Sequence, residues 1–327
     1  MRARAAILPF VFLVCLSGFS MGQDRWVDSR AIGLFDGSQL IQQPTPLGSK
    51  VMGFDMVVSG DILVTGAPGI DDGSPQGDPG AVDVFKWNSD FDEWEHLVSL
   101  GTLLPMLELG SNFEFGYSVD MHGDAIIVGA PGATDQFGNP VGRAYLFRRD
   151  SNNLDIWQHV ETFDHPDNSA DSRFGANVTL NDSYAFITAL NDTNFTGGNG
   201  QIWSHSIARS NVVPRPIPNP VIPRGTILND WGVGLDYQEG VLGVGGPTSR
   251  IEGTAMGAAV GYPCVNGSPL PSDLLTPPDP WNAENANFGQ SITHSAGQLM
   301  IGTPNLGNLQ GTVLNYYEDK VSGEWQF

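Results

Sequence analysis

Apolar positions in this chain alternate over short runs and then become continuous. Tyr117, Val119 and Met121 alternate with Ser118 and Asp120, the period-two pattern of a strand with one buried face. After His122-Gly123 comes an uninterrupted apolar run, Ala125-Ile126-Ile127-Val128, as expected of a strand covered on both faces. Runs at 143–147 and 156–162 complete a unit of four predicted strands.

The unit recurs. Phe115-Gly116 opens it, and thirteen residues after Gly116 it reaches Gly129-Ala130-Pro131. The opening pair reappears as Met52-Gly53, Phe174-Gly175, Trp231-Gly232 and Phe288-Gly289. The second element reappears as Gly66-Ala67-Pro68, Gly245-Gly246-Pro247 and Gly302-Thr303-Pro304, and in degraded form as Thr188-Ala189-Leu190. The thirteen-residue spacing holds in all five copies, whose opening glycines lie 63, 59, 57 and 57 residues apart. A period of this length predicts propeller blades or a similar array. Blades stack face to face, which accounts for the continuously apolar second strands. The opening Gly admits the chain to a crowded strand where a Cβ would clash, and the Pro after the second strand ends its ladder. Tight turns at Gly60-Asp61, His122-Gly123, Asn181-Asp182, Glu239-Gly240 and Ala296-Gly297 suit hairpins that need positive φ.

The second copy resembles the FG-GAP repeat of integrin-α-type β-propellers, in its short form FGxSVxxxGDxxVVGAPG…GxAYVF…W, almost letter for letter. The resemblance extends over about residues 51–317. It implies an all-β fold, a β-propeller of about five four-stranded blades, or of six or seven if the chain is a fragment. Some integrin first hairpins carry an inserted Asp-x-Asp-x-Asp-Gly calcium loop. The invariant thirteen-residue spacing leaves no room for it here, so those sites do not carry over.

Residues 1–22 read as a secretory signal peptide: Arg2 and Arg4, an apolar run, then small residues with cleavage before Gln23. A lipoprotein reading of Cys15 would want a small residue before it, and Val14 stands there instead. The run is too short for a membrane anchor, and no later segment is long and apolar enough to span a bilayer. The mature part, 23–327, is then the propeller, and the protein is expected to be secreted, cell-surface or periplasmic. Residues 26–35 read as a displaced fourth strand that would complete the last blade and close the ring.

Composition adds little to the fold but narrows the partners. The formal net charge is −21, from 36 acidic and 15 basic residues. Nucleic acid is therefore not an expected partner, since its phosphates need a basic surface. Cation binding, a saline habitat or a merely solvated acidic surface all fit. Outside the predicted leader only Cys264 remains, so no internal disulfide holds the mature chain.

Acidic and amide residues gather between the second and third strands: Asp71, Asp72 and Asp78 in the first copy, Asp135 and Asn139 in the second, Asn191, Asp192 and Asn194 in the third. Oxygen ligands on Gly-containing loops suit calcium, and the first copy offers the best site. The same residues also simply make turns. Residues 208–230 and 264–287 break the strand rhythm with prolines. In the third copy the run at 213–220 is expected to replace the fourth strand and blunt the edge.

No Gly-x-Ser-x-Gly elbow, phosphate loop or His-Glu-x-x-His helix occurs. His96 and His159 share a repeat position two residues after a Trp, which suits packing on a strand face. The expected function is non-catalytic binding or adhesion. The alternatives are a polysaccharide-acting propeller enzyme, in which Asp164, Asp167 and Asp171 would converge, and a structural surface or matrix protein. Antiparallel strands alternate direction, so the loops between second and third strands share a face with the blade-to-blade connections. Long loops on a rigid scaffold carry function, so a protein or glycan ligand is expected there, at Asp135, Asn139, Asp167, Asp171, Asn191 and Asp192.

Overall fold

The apolar runs fold into five four-stranded antiparallel sheets, each with its strands in chain order. The computed structural model describes residues 52–69, 79–104, 112–135, 137–193, 199–209, 212–278, 284–306, 311–319 and 325–327. The first sheet is β1 (Asp55–Ser59), β2 (Ile62–Ala67), β3 (Ala81–Asn88) and β4 (Glu93–Ser99). The second is β5 (Ser118–His122), β6 (Ala125–Ala130), β7 (Arg143–Arg149) and β8 (Trp157–Asp164). The third is β9 (Phe174–Leu180), β10 (Tyr184–Ala189), β11 (Gln201–Ser206) and β12 (Arg215–Pro216). In the fourth, β13 (Gly234–Gln238) and β14 (Val241–Gly246) are followed by a small hairpin, β15 (Arg250–Ile251) and β16 (Thr254–Ala255), before β17 (Ala258–Val265) and β18 (Ser268–Pro269). The fifth is β19 (Ser291–Ser295), β20 (Gln298–Thr303), β21 (Thr312–Glu318) and β22 (Trp325–Gln326).

The second strands β2, β6 and β14 are buried along their whole length, as their largely apolar sequence requires. They are covered on both faces because the core lies between successive sheets. Ile62, Val64, Val82 and Val84 share one cluster with Ile126, Val128, Tyr145 and Phe147. Ile127 and Leu146, on the other face of the second sheet, share another with Phe174, Val178 and Ile187. β20 differs, since its burial alternates. One face of the fifth sheet packs toward Ala259 and Phe288, and the other exposes Gln298, Val313 and Asn315.

The opening aromatic–Gly pairs form the joints. Phe115, Phe174, Trp231 and Phe288 are fully buried, and burial of each such ring contributes about 1.5–3 kcal/mol. Gly80, Gly142 and Gly257, which precede third strands, make parallel bridges to Phe115, Phe174 and Phe288 of the next sheet. The next glycine then lies against the second strand of the sheet before it. A Cβ on Gly129 would stand 2.0 Å from the carbonyl oxygen of Gly175. Crowding at the crossing between sheets, more than within one strand, therefore fixes the Gly.

The hairpins join first to second strands where expected. Glu239 and Gly240 both have positive φ, as do Ala296 and Gly297. At the third hairpin Asn181 Oδ1 instead accepts the N–H groups of Ser183 and Tyr184. The fourth strands depart from expectation. The proline run at 213–220 contains a short fourth strand, since Arg215 and Pro216 pair with Ser204 and Trp203. β17 likewise runs through Cys264 and turns back into β18 at Pro269. Prolines shorten these strands to two residues without abolishing them, because an outermost strand needs to pair along one edge only. Residues 1–22 and 26–35, with the predicted leader and closing strand, lie outside the described residues.

Candidate functional site

First strands of successive sheets pack side by side, β1 on β5, β5 on β9, β9 on β13 and β13 on β19. Residues from all five line one cavity of about 550 Å³. Its walls are held by polar side chains that reach one sheet forward. Asp55 Oδ2 accepts the Val119 N–H at 2.7 Å. Asp120 Oδ2 accepts the Thr179 hydroxyl at 2.6 Å and the Leu180 N–H at 3.0 Å. Thr179 Oγ1 then accepts the Tyr237 N–H at 3.2 Å. Asp236 Oδ2 accepts the Thr293 hydroxyl at 2.8 Å and the His294 N–H at 3.3 Å. Asp120, Thr179, Asp236 and Thr293 each stand four residues after an opening Gly, so the fastening belongs to the repeat.

Burial raises the pKa of all three carboxyls, and the hydrogen bonds they accept only partly offset it. Asp120 is pushed up to about 6, with the Asp236 charge adding to the effect. These aspartates were not among the expected site residues. For Asp120 and Asp236 the signal was present as an Asp or Thr at one repeat position, but an alternating strand disguises it as an ordinary polar residue.

The other end carries the expected ligand residues. Loops between second and third strands are tied to the connection that enters their own sheet: Gly132 N–H to Phe113 O, Asn191 N–H to Ser172 O, Asn305 N–H to Ala286 O. Asp171 links two neighbouring loops, since its N–H donates to Pro140 O and its carbonyl accepts the Asn191 side-chain amide at 2.8 Å. The structure thus brings together the loop at 135–140, Asp171 and Asn191. Asp135 shapes its own loop. Its Oδ1 accepts the N–H groups of Phe137 and Asn139, and its Oδ2 the Asn139 side-chain amide. These bonds, the Asn139 amide foremost, lower its pKa.

Asp167 is exposed beside His165, whose Nδ1 accepts the Asp167 N–H at 3.1 Å. Asp192 is buried, not solvent-facing, with its Oδ2 3.3 Å from His165 Nε2. As Nδ1 accepts, Nε2 carries the hydrogen and donates to Asp192. Asp164 pairs with Arg143 at 2.8 Å. Asp71, Asp72, Asp78 and Asn194 lie outside the described residues.

His205 sits against the Phe163 and Phe174 rings. Burial first, then nearby His165, depresses its pKa to about 4. His96 packs edge-on against Phe85 and holds Asp83 at 3.0 Å, and His159 lies over Tyr145 and Phe147, the packing role expected of both. The Cys264 thiol is pushed up to about 12 by burial. Among the described residues no group of three or more His, Cys, Asp or Glu is placed to hold a metal ion, and no helix is long and apolar enough to cross a membrane.

No curated protein matches this chain. Residues 110–147 match the family model of the FG-GAP repeat. That span covers the opening Phe115-Gly116, β5, β6 and most of β7. The second sheet of this chain is therefore built on an FG-GAP repeat.

Proposed function

We propose that the five sheets are blades of a β-propeller, and that the chain is a secreted, non-catalytic binding or adhesion module. It presents the end bearing the second-to-third-strand loops to a protein or glycan ligand. The propeller reading is supported by five first strands around one cavity and by repeated joints between successive sheets. The ligand face rests chiefly on Asp171, whose backbone ties Pro140 of one loop to Asn191 of the next. The hairpin end offers short turns occupied with one another, as His122 with Asp182 and Glu239 with the Ala296 N–H.

Binding to immobilised glycan and extracellular-protein arrays tests this reading. Asp135→Ala with Asp167→Ala is expected to weaken any captured ligand at least roughly tenfold, on the scale of one interface anchor. His122→Ala with Glu239→Ala should leave it within about twofold. If the hairpin-end pair proves the damaging one, the face is wrong.

Calcium at Asp71, Asp72 and Asp78 is a separable part of the proposal. An ion held at about ten times its Kd stabilises by about 1.4 kcal/mol, so millimolar calcium should raise the melting temperature by a few degrees. Replacing all three with Asn should remove that rise. No calcium-dependent shift in the parent protein would end the calcium reading and leave the ligand face untouched.

A further inference from the structure

The chain holds two Asn-Gly pairs, Asn199-Gly200 and Asn266-Gly267. In such a pair no side chain shields the glycine nitrogen. Once it loses its proton it can attack the side-chain amide of the Asn before it, if that amide is free to turn. The fold treats the two pairs differently. Asn199 is tied down: its Oδ1 accepts the Asp230 N–H at 2.9 Å, and its Nδ2 donates to Asp230 Oδ1 at 3.3 Å. The Gly200 N–H donates to Asp192 O at 2.9 Å. Asn266 is exposed. Among the described residues neither its side chain nor the Gly267 N–H has a hydrogen-bond partner.

The same turn holds the outer strand of the fourth sheet in place. Asn266 has φ +51 and Gly267 φ +80, both left-handed as a two-residue type I′ hairpin requires. The turn joins β17 to β18, which pair at Val265–Ser268 and Cys264–Pro269. It also rests on the first hairpin of the third sheet. Asn181 Nδ2 donates to Gly267 O at 3.3 Å. A Cβ on Gly267 would stand 3.0 Å from Ser183 Cβ and from Tyr184 Cδ2, so the turn lies directly against that hairpin.

We propose that Asn266 is a site of spontaneous covalent modification, at which deamidation and isomerisation release β18 from the third sheet. The Gly267 nitrogen gives its proton to hydroxide and bonds to Asn266 Cγ. The Cγ–Nδ2 bond breaks, and ammonia leaves with a proton taken back from water, closing a succinimide ring. A second water then adds to one of the two ring carbonyls. Opening on one side yields Asp; opening on the other yields isoaspartate, whose backbone runs through the former side chain. The net change consumes one water and releases one ammonia, with no oxidant or reductant. Isoaspartate lengthens the backbone by one carbon, which a two-residue turn in this register does not accommodate. Gly267 O is thereby carried away from Asn181. Either product adds a negative charge to a chain already at −21.

Peptide mapping by mass spectrometry, on the folded chain during storage, is the test. Asn266 is expected to convert to a mixture of Asp and isoaspartate at least roughly tenfold faster than Asn199, and faster at about pH 8 than at about pH 6, because the attacking nitrogen must lose its proton. In urea the two pairs should convert alike, since only the fold distinguishes them. The aged protein should melt a few degrees below the fresh one. Asn266→Gly suits the left-handed position and should abolish that loss, with the fresh melting temperature within about one degree of the parent. A folded chain in which Asn266 survives as long as Asn199 would overturn the site. A difference in rate that persisted in urea would place its cause in local sequence and overturn the structural argument. Conversion that left the melting temperature unchanged would overturn the release of β18.

Discussion

Gly175→Ala is expected to destabilise the protein by on the order of 3–5 kcal/mol, enough to lower its melting temperature by roughly 10 °C. Two separate penalties meet there. Gly175 has φ +90, and its Cβ would stand 2.1 Å from the Arg143 carbonyl oxygen and 3.1 Å from the Ala130 nitrogen. All of these are backbone atoms of the preceding sheet, so no side chain can swing aside. Two companion substitutions separate the causes. Gly123→Ala, at φ +60 with nothing within 4 Å, carries the conformational cost alone, about 1 kcal/mol. Gly129 has no positive φ, yet its Cβ would stand 2.0 Å from Gly175 O, so Gly129→Ala carries the steric cost alone and should rank near Gly175→Ala. Urea unfolding of the three variants decides the matter. If Gly123→Ala cost as much as the other two, close approach between sheets would not be what holds these glycines.

The second large effect is a pair of opposed pH dependences. Asp120 has a folded pKa of about 6 against 3.8 unperturbed. The folded protein therefore binds this proton more tightly, and the stability it lends below about pH 4 is lost as pH rises through about 6. His205 has a folded pKa of about 4 against 6.5. Its contribution is present above pH 6.5 and is lost as pH falls toward 4. Each is worth on the order of 3 kcal/mol at full extent, and between pH 4 and 6.5 the two oppose one another. Asp120→Asn should tilt the balance toward His205, making stability fall more, or rise less, on acidification than in the parent protein. His205→Phe should unmask Asp120, with Asp55 and Asp236 shifted the same way, and gain stability on acidification. Urea midpoints at pH 4.5 and 6.5 give the signs. Two variants sloping alike would refute the assignment.

How much of this was legible in the sequence differs from element to element. The period-two run at Tyr117 and the apolar run from Ala125 locate β5 and β6 within a residue or two, because burial on one face or both leaves its own period. The glycines were legible as invariant spacing, but not their cause, since the carbonyl each one meets lies in a neighbouring sheet, as Arg143 O does for Gly175 and Gly175 O for Gly129. Asp120 read as the polar side of an alternating strand and turned out, like Asp236, to fasten the next sheet. Asp192 read as a loop oxygen donor and is buried against His165. Both misreadings have one origin: an Asp looks the same in sequence whether water or a neighbouring sheet satisfies it. The fourth strands at Arg215 and Ser268 were hidden because two paired residues leave no period.

The joints have a further consequence, in the order of assembly. Each described joint couples a sheet only to its successor: a Gly before the third strand, a buried aromatic ring, a Gly against the second strand, and a polar side chain handed one strand forward. No partner in this set is more than about one repeat away, so loop-closure entropy stays small for every step. A nascent chain therefore need not be complete before it begins to fold. Each sheet can settle onto its predecessor once the next aromatic–Gly pair has emerged, and structure grows in one direction from the leading end. Nearest-neighbour coupling of this kind makes folding a propagation along the array, in which every newly made sheet serves as the template for the one behind it.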